Sequence, residues 1–106
     1  MIWPVRQVAT EKRRLEVLRY LASVGGYEAN ASLIKEHLRY VGVPTSGDEL
    51  DACLMWLADF DLVIPRRFVY SANAGQSSEL IVRVTETGRD VAQGYQAVPG
   101  IMQPDP

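Results

Sequence analysis

The segment SGDELDACLMWLADFDLVIPRRFVY, residues 46–70, changes its hydrophobic period partway along, and that change decides the fold. Ser46 followed by Glu49 has the spacing of a capping box, in which two side chains satisfy backbone N–H groups that the first helical turn leaves open. Leu50, Cys53, Leu54 and Leu57 then fall on one side at 100° per residue, with Trp56 and Phe60 widening the stripe, so a helix is predicted to about Phe60. After Asp61 the period becomes two. Leu62, Ile64, Phe68 and Tyr70 alternate along one predicted strand, and Leu80, Val82 and Val84 along a second. Ser71 to Ser78 between them is small, polar and contains Gly75, which predicts a loose hairpin tip.

Working outward, Leu15, Leu18, Leu21 and Ala22 recur at helical spacing from about Thr10 to Val24, and Gly25-Gly26 ends that helix. After a turn through Tyr27, Asn30 is a natural cap for a second helix with the stripe Ala31, Ile34, Leu38 and Val41, closed by Gly42 and Pro44. Downstream, Thr85 or Thr87 can cap a short helix around Arg89 to Gln93 ended by Gly94, after which Pro99, Pro104 and Pro106 predict an extended tail. Three helices, a hairpin and a short fourth helix, in that order, predict an α+β winged helix-turn-helix. Its divisions are an N-terminal arm over 1–9, a winged-helix domain over 10–94 and a tail over 95–106. The expected core holds Leu18, Leu21, Ile34, Leu38, Leu54, Leu57, Val82 and Val84.

Composition narrows the function. Hydrophobic residues make up 47% and charged residues 23% of 106, a soluble globular balance for one domain. The net charge of -2 and pI of about 5.3 mean that any binding to nucleic acid must come from local cationic patches. Neither a signal peptide pattern nor an apolar run of about 18 residues occurs, so a soluble intracellular protein without a membrane role is expected. The lone cysteine, Cys53, lies in an apolar helical pattern and reads as packing.

Catalytic chemistry finds little material. His37 has no cysteine or carboxylate at metal-site spacing, and Asp48 with Asp51 at i,i+3 is explained by the positive end of a helix dipole. With no phosphate loop or nucleophile elbow in the chain, neither an enzyme, a small-molecule substrate, a cofactor nor a bound metal is expected.

In a helix-turn-helix protein the third helix is the one that enters the major groove. Here its outward face carries Asp48, Asp51, Ala52, Met55 and Asp59, and Thr45 to Asp61 holds five acidic residues and no Lys or Arg. Such a face repels phosphate, and it suits a protein-binding surface or a solvated one instead. Positive charge lies elsewhere: Lys35 and Arg39 on the second helix, Arg66, Arg67 and Arg83 on the hairpin, and Lys12, Arg13, Arg14 and Arg19 on the first helix. Hairpin arginines can grip a DNA backbone or defend a strand edge. The apolar end segments Ile2-Trp3-Pro4-Val5 and Val98 to Met102 suggest arms that pack on the domain or on a second copy, so a homodimer is expected.

The chain also resembles a family of small winged-helix proteins encoded by Mu-like transposable phages and prophages, described as similar to the ArsR regulators. The resemblance is carried by Gly26-Tyr27-Glu28-Ala29-Asn30, Ser46, Asp48, Trp56-Leu57, Leu62-Val63, Thr85, Gly88, Asp90-Val91-Ala92, Gly94 and Val98-Pro99-Gly100-Ile101, in shared order over about 75 residues. At Met102-Gln103 relatives are more basic, which weakens any role for a basic tail. The resemblance implies a winged-helix fold and a phage setting in the cytoplasm of a bacterial host, without a known activity. Two functional expectations follow. The first is a DNA-binding phage or prophage regulator that contacts double-stranded DNA through Arg66, Arg67 and Arg83, with Lys35 and Arg39 in support. The other is a non-catalytic protein-interaction module that presents Asp48, Asp51, Met55 and Asp59 to a protein partner.

Overall fold

Helix α1 occupies Val5–Ser23, α2 Ala31–Tyr40, α3 Gly47–Asp59 and α4 Glu86–Gln93, with strands β1 at Glu28–Asn30, β2 at Val63–Ala72 and β3 at Gly75–Val84. The computed structural model describes residues 5–72 and 75–105. The architecture is α+β, four helices and a three-stranded antiparallel sheet in the order β1-β3-β2.

The helix ends follow from local chemistry. Asn30 accepts from the Leu33 amide at 2.8 Å and starts α2. At α3 the capping box is complete: the Glu49 amide donates to Ser46 Oγ at 3.1 Å, and the Ser46 amide donates to Glu49 Oε1 at 2.9 Å. Thr85 accepts from the Gly88 amide at 3.0 Å and caps α4, which Gly94 closes in the left-handed conformation with φ 84.

α1 lies at the centre of the core. Its Leu15, Val17, Leu18 and Leu21 are buried with Ile34 and Leu38 of α2, Leu50, Cys53, Leu54 and Leu57 of α3, Val82 and Val84 of β3, and Val91 and Ala92 of α4. The eight residues expected in the core are all in it.

Three elements depart from the expectation. α1 begins at Val5, so residues 5–9, expected in an N-terminal arm, form its first turns, with Gln7 donating to Glu11 at 3.0 Å. No glycine or proline interrupts Val5 to Ser23, so nothing in that stretch stops the helix earlier. The remainder of the proposed arm, residues 1–4, lies outside the described residues. Secondly, the turn after α1 continues into β1, which pairs Glu28, Ala29 and Asn30 with Arg83, Val82 and Ile81. Gly26 at φ 75 and Tyr27 at φ 59 reverse the chain tightly enough to bring it there.

The third departure is the hairpin. Its ladder runs from Val63↔Val84 to Ala72↔Gly75, so the stretch expected as a loose tip is largely paired strand, and Asn73 and Ala74 lie outside the described residues. The phase of β2 also differs. Directly opposed residues share a face, so Val63 and Pro65 point inward with Val84 and Val82, whereas Ile64, Phe68 and Tyr70, expected to alternate in phase with Leu62, point outward and are 50%, 48% and 52% exposed. Leu62 is buried just before the strand begins, and that one-residue offset flips every side chain after it.

The tail forms no helix or strand from Gly94 to Asp105, as expected, but it folds back onto α1. The Met102 amide donates to the Glu11 carbonyl at 3.3 Å, the Gly100 carbonyl accepts from Arg14 at 2.8 Å, and Ile101 is buried.

Three outcomes are expected from this packing. Leu57→Ala, which empties a fully buried site, lowers unfolding free energy in urea by about 2–5 kcal/mol, as does Leu54→Ala. Gly88→Ala costs about 1–3 kcal/mol by the same measurement, because a Cβ there collides with the Leu62 carbonyl and reaches 2.7 Å from Val84 Cγ2. Burial pushes the Cys53 thiol up to about 11 from an ordinary 9.0, so native protein at pH 8 reacts with a disulfide reagent far more slowly than unfolded protein. Because the folded value is the raised one, the contribution is full below pH 9 and is lost as pH climbs toward 11, a component of alkaline destabilisation that Cys53→Ala removes.

Candidate nucleic-acid interface

Where α3 sits is set by one buried cation. Arg13 of α1 is 7% exposed, donates from Nε to Thr45 Oγ1 at 2.9 Å, and places its guanidinium 3.6 Å from Glu49. Thr45 in turn donates to the Val43 carbonyl at 2.7 Å, so the turn between α2 and α3 is tied to α1 by a chain of hydrogen bonds. The Glu49 carboxyl is held below its ordinary range, first by the Ser46 amide, then by the Ser46 hydroxyl and Arg13.

Anchored in this way, α3 turns Asp48, Asp51, Ala52, Met55 and Asp59 to solvent, the face expected from its periodicity, and Met55 is 68% exposed. Beside it a groove of about 310 Å³ opens between α3 and the hairpin, lined by Asp51, Leu54, Met55, Pro65, Arg67 and Leu80. Arg67 thus brings a guanidinium to the acidic face that α3 itself lacks.

The hairpin arginines do not form one patch. Arg67 opposes Leu80 and lies on the side of the sheet that faces α3, while Arg66 opposes Ile81 and Arg83 opposes Ile64 on the outer side. Neighbouring strand residues must point to opposite faces, so a single surface cannot collect both Arg66 and Arg67. Arg66 is also engaged: it donates to Glu28 of β1 at 3.1 Å and its guanidinium lies 5.2 Å from the Phe68 ring. Arg67 makes only a long contact, 3.4 Å, to Ser78.

On α2, Lys35 and Arg39 are exposed, with Arg39 paired to Glu36 at 2.8 Å. His37 stacks on Tyr20 of α1 at 4.5 Å and stands 3.7 Å from Glu16, packing that joins α1 to α2. Among the described residues no group of three or more His, Cys, Asp or Glu is arranged to hold a metal ion, and no helix is long and apolar enough to cross a membrane.

Three of the five cations of α1 are committed to structure. Besides Arg13, Arg14 lies 3.9 Å over the Trp56 ring while bonding the tail, and burial pushes its guanidinium down from its ordinary value; Arg19 pairs with Glu16 at 3.2 Å. In the same manner Arg89 of α4 lies 4.3 Å over Tyr27. Apart from Arg19, whose Glu16 is three residues away, each partner is far away in the chain, so no local sequence signal marks these arginines as structural rather than free.

No family model matches the chain. It is 31% identical over 102 residues, 96% of its length, to the uncharacterized protein gp26 of Escherichia phage Mu, 97% of which is covered. Among solved structures it is similar to the crystal structure of Pex from Synechococcus sp. strain PCC 7942, with a TM-score of 0.52 and 17% identity over 77% of each chain, a likeness of fold. The chain belongs, with gp26 of phage Mu, to one family of phage proteins.

Proposed function

We propose that this chain is a winged-helix DNA-binding protein, a transcriptional regulator of a Mu-like phage or prophage that works in the host cytoplasm without catalytic activity or cofactor. In this reading α2 and α3 are the helix-turn-helix and β2 with β3 the wing. The observation that carries it is the position of Arg67. The hairpin runs two ten-residue strands, roughly 33 Å each, past the buried core, and sets Arg67 beside the exposed face of α3, where a duplex lying along that helix would meet it.

Charge decides how the contact is shared. Asp48, Asp51 and Asp59 would stand close to phosphates with no cation on their own helix, so α3 does not enter the major groove in the usual way and the wing supplies most of the attraction. Within the wing, Arg67 contributes more than Arg66, which must give up its Glu28 contact, or than Arg83, which points outward. Lys35 and Arg39, exposed on α2, are the further candidates for backbone contacts, Arg39 at the cost of its Glu36 contact.

A second reading is favoured by the groove itself. A mostly apolar trough with Met55 at its lip and Asp48, Asp51 and Asp59 alongside suits a partner segment that combines basic and apolar residues. It predicts a protein-interaction module with little affinity for DNA.

Anisotropy titrations with a mixed-sequence duplex at about 50 and 200 mM salt separate the two, since phosphate contacts release counterions. DNA binding predicts affinity that falls steeply with salt. Arg67→Ala then lowers the logarithmic salt slope by about 0.9, and Arg66→Ala changes it less. Asp51→Asn with Asp59→Asn strengthens binding or leaves it unchanged. Absence of salt-dependent binding overturns the DNA reading. Loss of binding in the asparagine variants with retention in Arg67→Ala makes α3 a sequence reader and overturns the charge argument.

A further inference from the structure

The outer face of the sheet is the largest apolar feature that the DNA reading leaves unused. Along β2 it carries Ile64, Phe68 and Tyr70, each about half exposed, and along β3 Ile81 stands between Glu79 and Arg83. No helix of the described residues covers it, since α1 and α3 pack on the opposite side with Val82 and Val84. Half-exposed aromatic and aliphatic side chains interleaved with charges on one sheet face of a domain this small mark an interaction surface.

We propose that this face binds the same face of a second copy of the chain, through a two-fold axis passing near Ile81. The charges select that occupant. Arg66 is neutralised within the chain by Glu28, which leaves Arg83 and Glu79 as the unmatched pair; among the described residues neither forms an ion pair. They lie on one strand and one face, two residues either side of Ile81 and about 13 Å apart. Rotation by 180° about Ile81 exchanges their positions, so Arg83 of each chain meets Glu79 of the other. The same rotation exchanges Ile64 with Phe68 on β2 and brings Arg66, which stands opposite Ile81, onto Arg66 of the other copy, where each keeps its own Glu28. Around that central pair the face is complementary to itself, as an isologous contact requires.

Nucleic acid is the poorer occupant despite the aromatics. The face has two cations, Arg66 and Arg83, against two carboxylates, Glu28 and Glu79, and so lacks the positive field that draws a polyanion. Pairing along the free edge of β2 is poorer too, because Pro65 has no N–H to offer a new strand. In the face-to-face contact the apolar side chains supply the attraction, and the two ion pairs, one on either side of the axis, set orientation.

Sedimentation equilibrium of the full chain in a series from about 1 to 100 μM tests the contact, a range suited to an interface of modest size. A monomer–dimer equilibrium is expected. Phe68→Glu, at an exposed site, shifts the chain to monomer while its circular dichroism melt is retained. Glu79→Arg and Arg83→Glu each raise the dimer dissociation constant about tenfold, and an equal mixture of those two variants recovers the dimer, since both mixed pairs are then opposite in sign. A wild-type monomer at 100 μM overturns the proposal. So does a dimer indifferent to Phe68→Glu, which moves the interface elsewhere, or a Phe68→Glu variant that loses duplex binding with no change in mass, which gives the face to nucleic acid. The proposal does not rest on the DNA reading, and failure of the salt titration leaves it standing.

Discussion

The hairpin depends on one carbonyl. Leu62 ends the turn after α3, and its oxygen accepts from the Thr85 amide at 3.0 Å and from the Thr85 hydroxyl at 3.1 Å, while that hydroxyl also lies 2.8 Å from the Asp61 carbonyl. Thr85 is at the same time the cap of α4, so the start of β2, the end of β3 and the start of α4 are fastened at one point. Gly88 is the residue that permits it, because any side chain there would occupy the space of that carbonyl. Beyond this root β3 stays tied to the domain, with Val82 buried in the core and β1 paired along Ile81 to Arg83, whereas every described side chain of β2 from Ile64 onward is exposed. The outer part of the hairpin, where Arg67 and Phe68 stand, is therefore oriented by what is fastened at its base.

Strand alternation then divides the hairpin into two unlike sides. The inner side continues the core outward as Pro65, Leu80 and Arg67 and ends against the acidic face of α3; the outer side is a neutral strip of apolar residues between charges. The arginines at 66 and 67 look like a single basic patch in sequence and belong to different surfaces in the fold. Their surroundings differ as well, one held by Glu28 and the other open at the groove. A dipeptide of like charge on a strand is a statement about two faces, each of which must be judged by its own neighbours.

Much of the fold was legible because it is locally encoded. The capping residues Asn30, Ser46 and Thr85, the stop at Gly94 and the stripe on α3 all act within one helical turn of themselves, and each was found where its chemistry placed it. What could not be read depends on distant partners. β1 is three residues whose only reason to be extended is the edge of β3, some fifty residues later. Ile64, Phe68 and Tyr70 alternate as a core strand would, and nothing in their own spacing reveals that the helices lie on the other side. The site shows the same division. The acidic outer face of α3 follows from helical phase, whereas the commitment of Arg13, Arg14 and Arg89 to Thr45, Trp56 and Tyr27 follows only from packing.

These commitments also explain how a chain of net charge -2 could serve both surfaces. With Arg13, Arg14 and Arg19 of α1 fixed against Glu49, Glu16, Trp56 and the tail, the attractive charge left for a polyanion lies on the hairpin, on α2 and at Arg6 and Lys12 of α1. That arrangement limits how two copies could share a duplex. Joined outer face to outer face, two wings turn their Arg67 sides away from one another, because the inner and outer sides of a sheet are opposite by construction. The two α3 surfaces then look in opposite directions, and a straight duplex cannot lie along both as it does along the paired half-sites of an ordinary helix-turn-helix dimer. A dimer of this geometry that binds DNA must either hold two separate segments or bend one around itself, and the demand for a palindromic site disappears with the side-by-side arrangement that creates it.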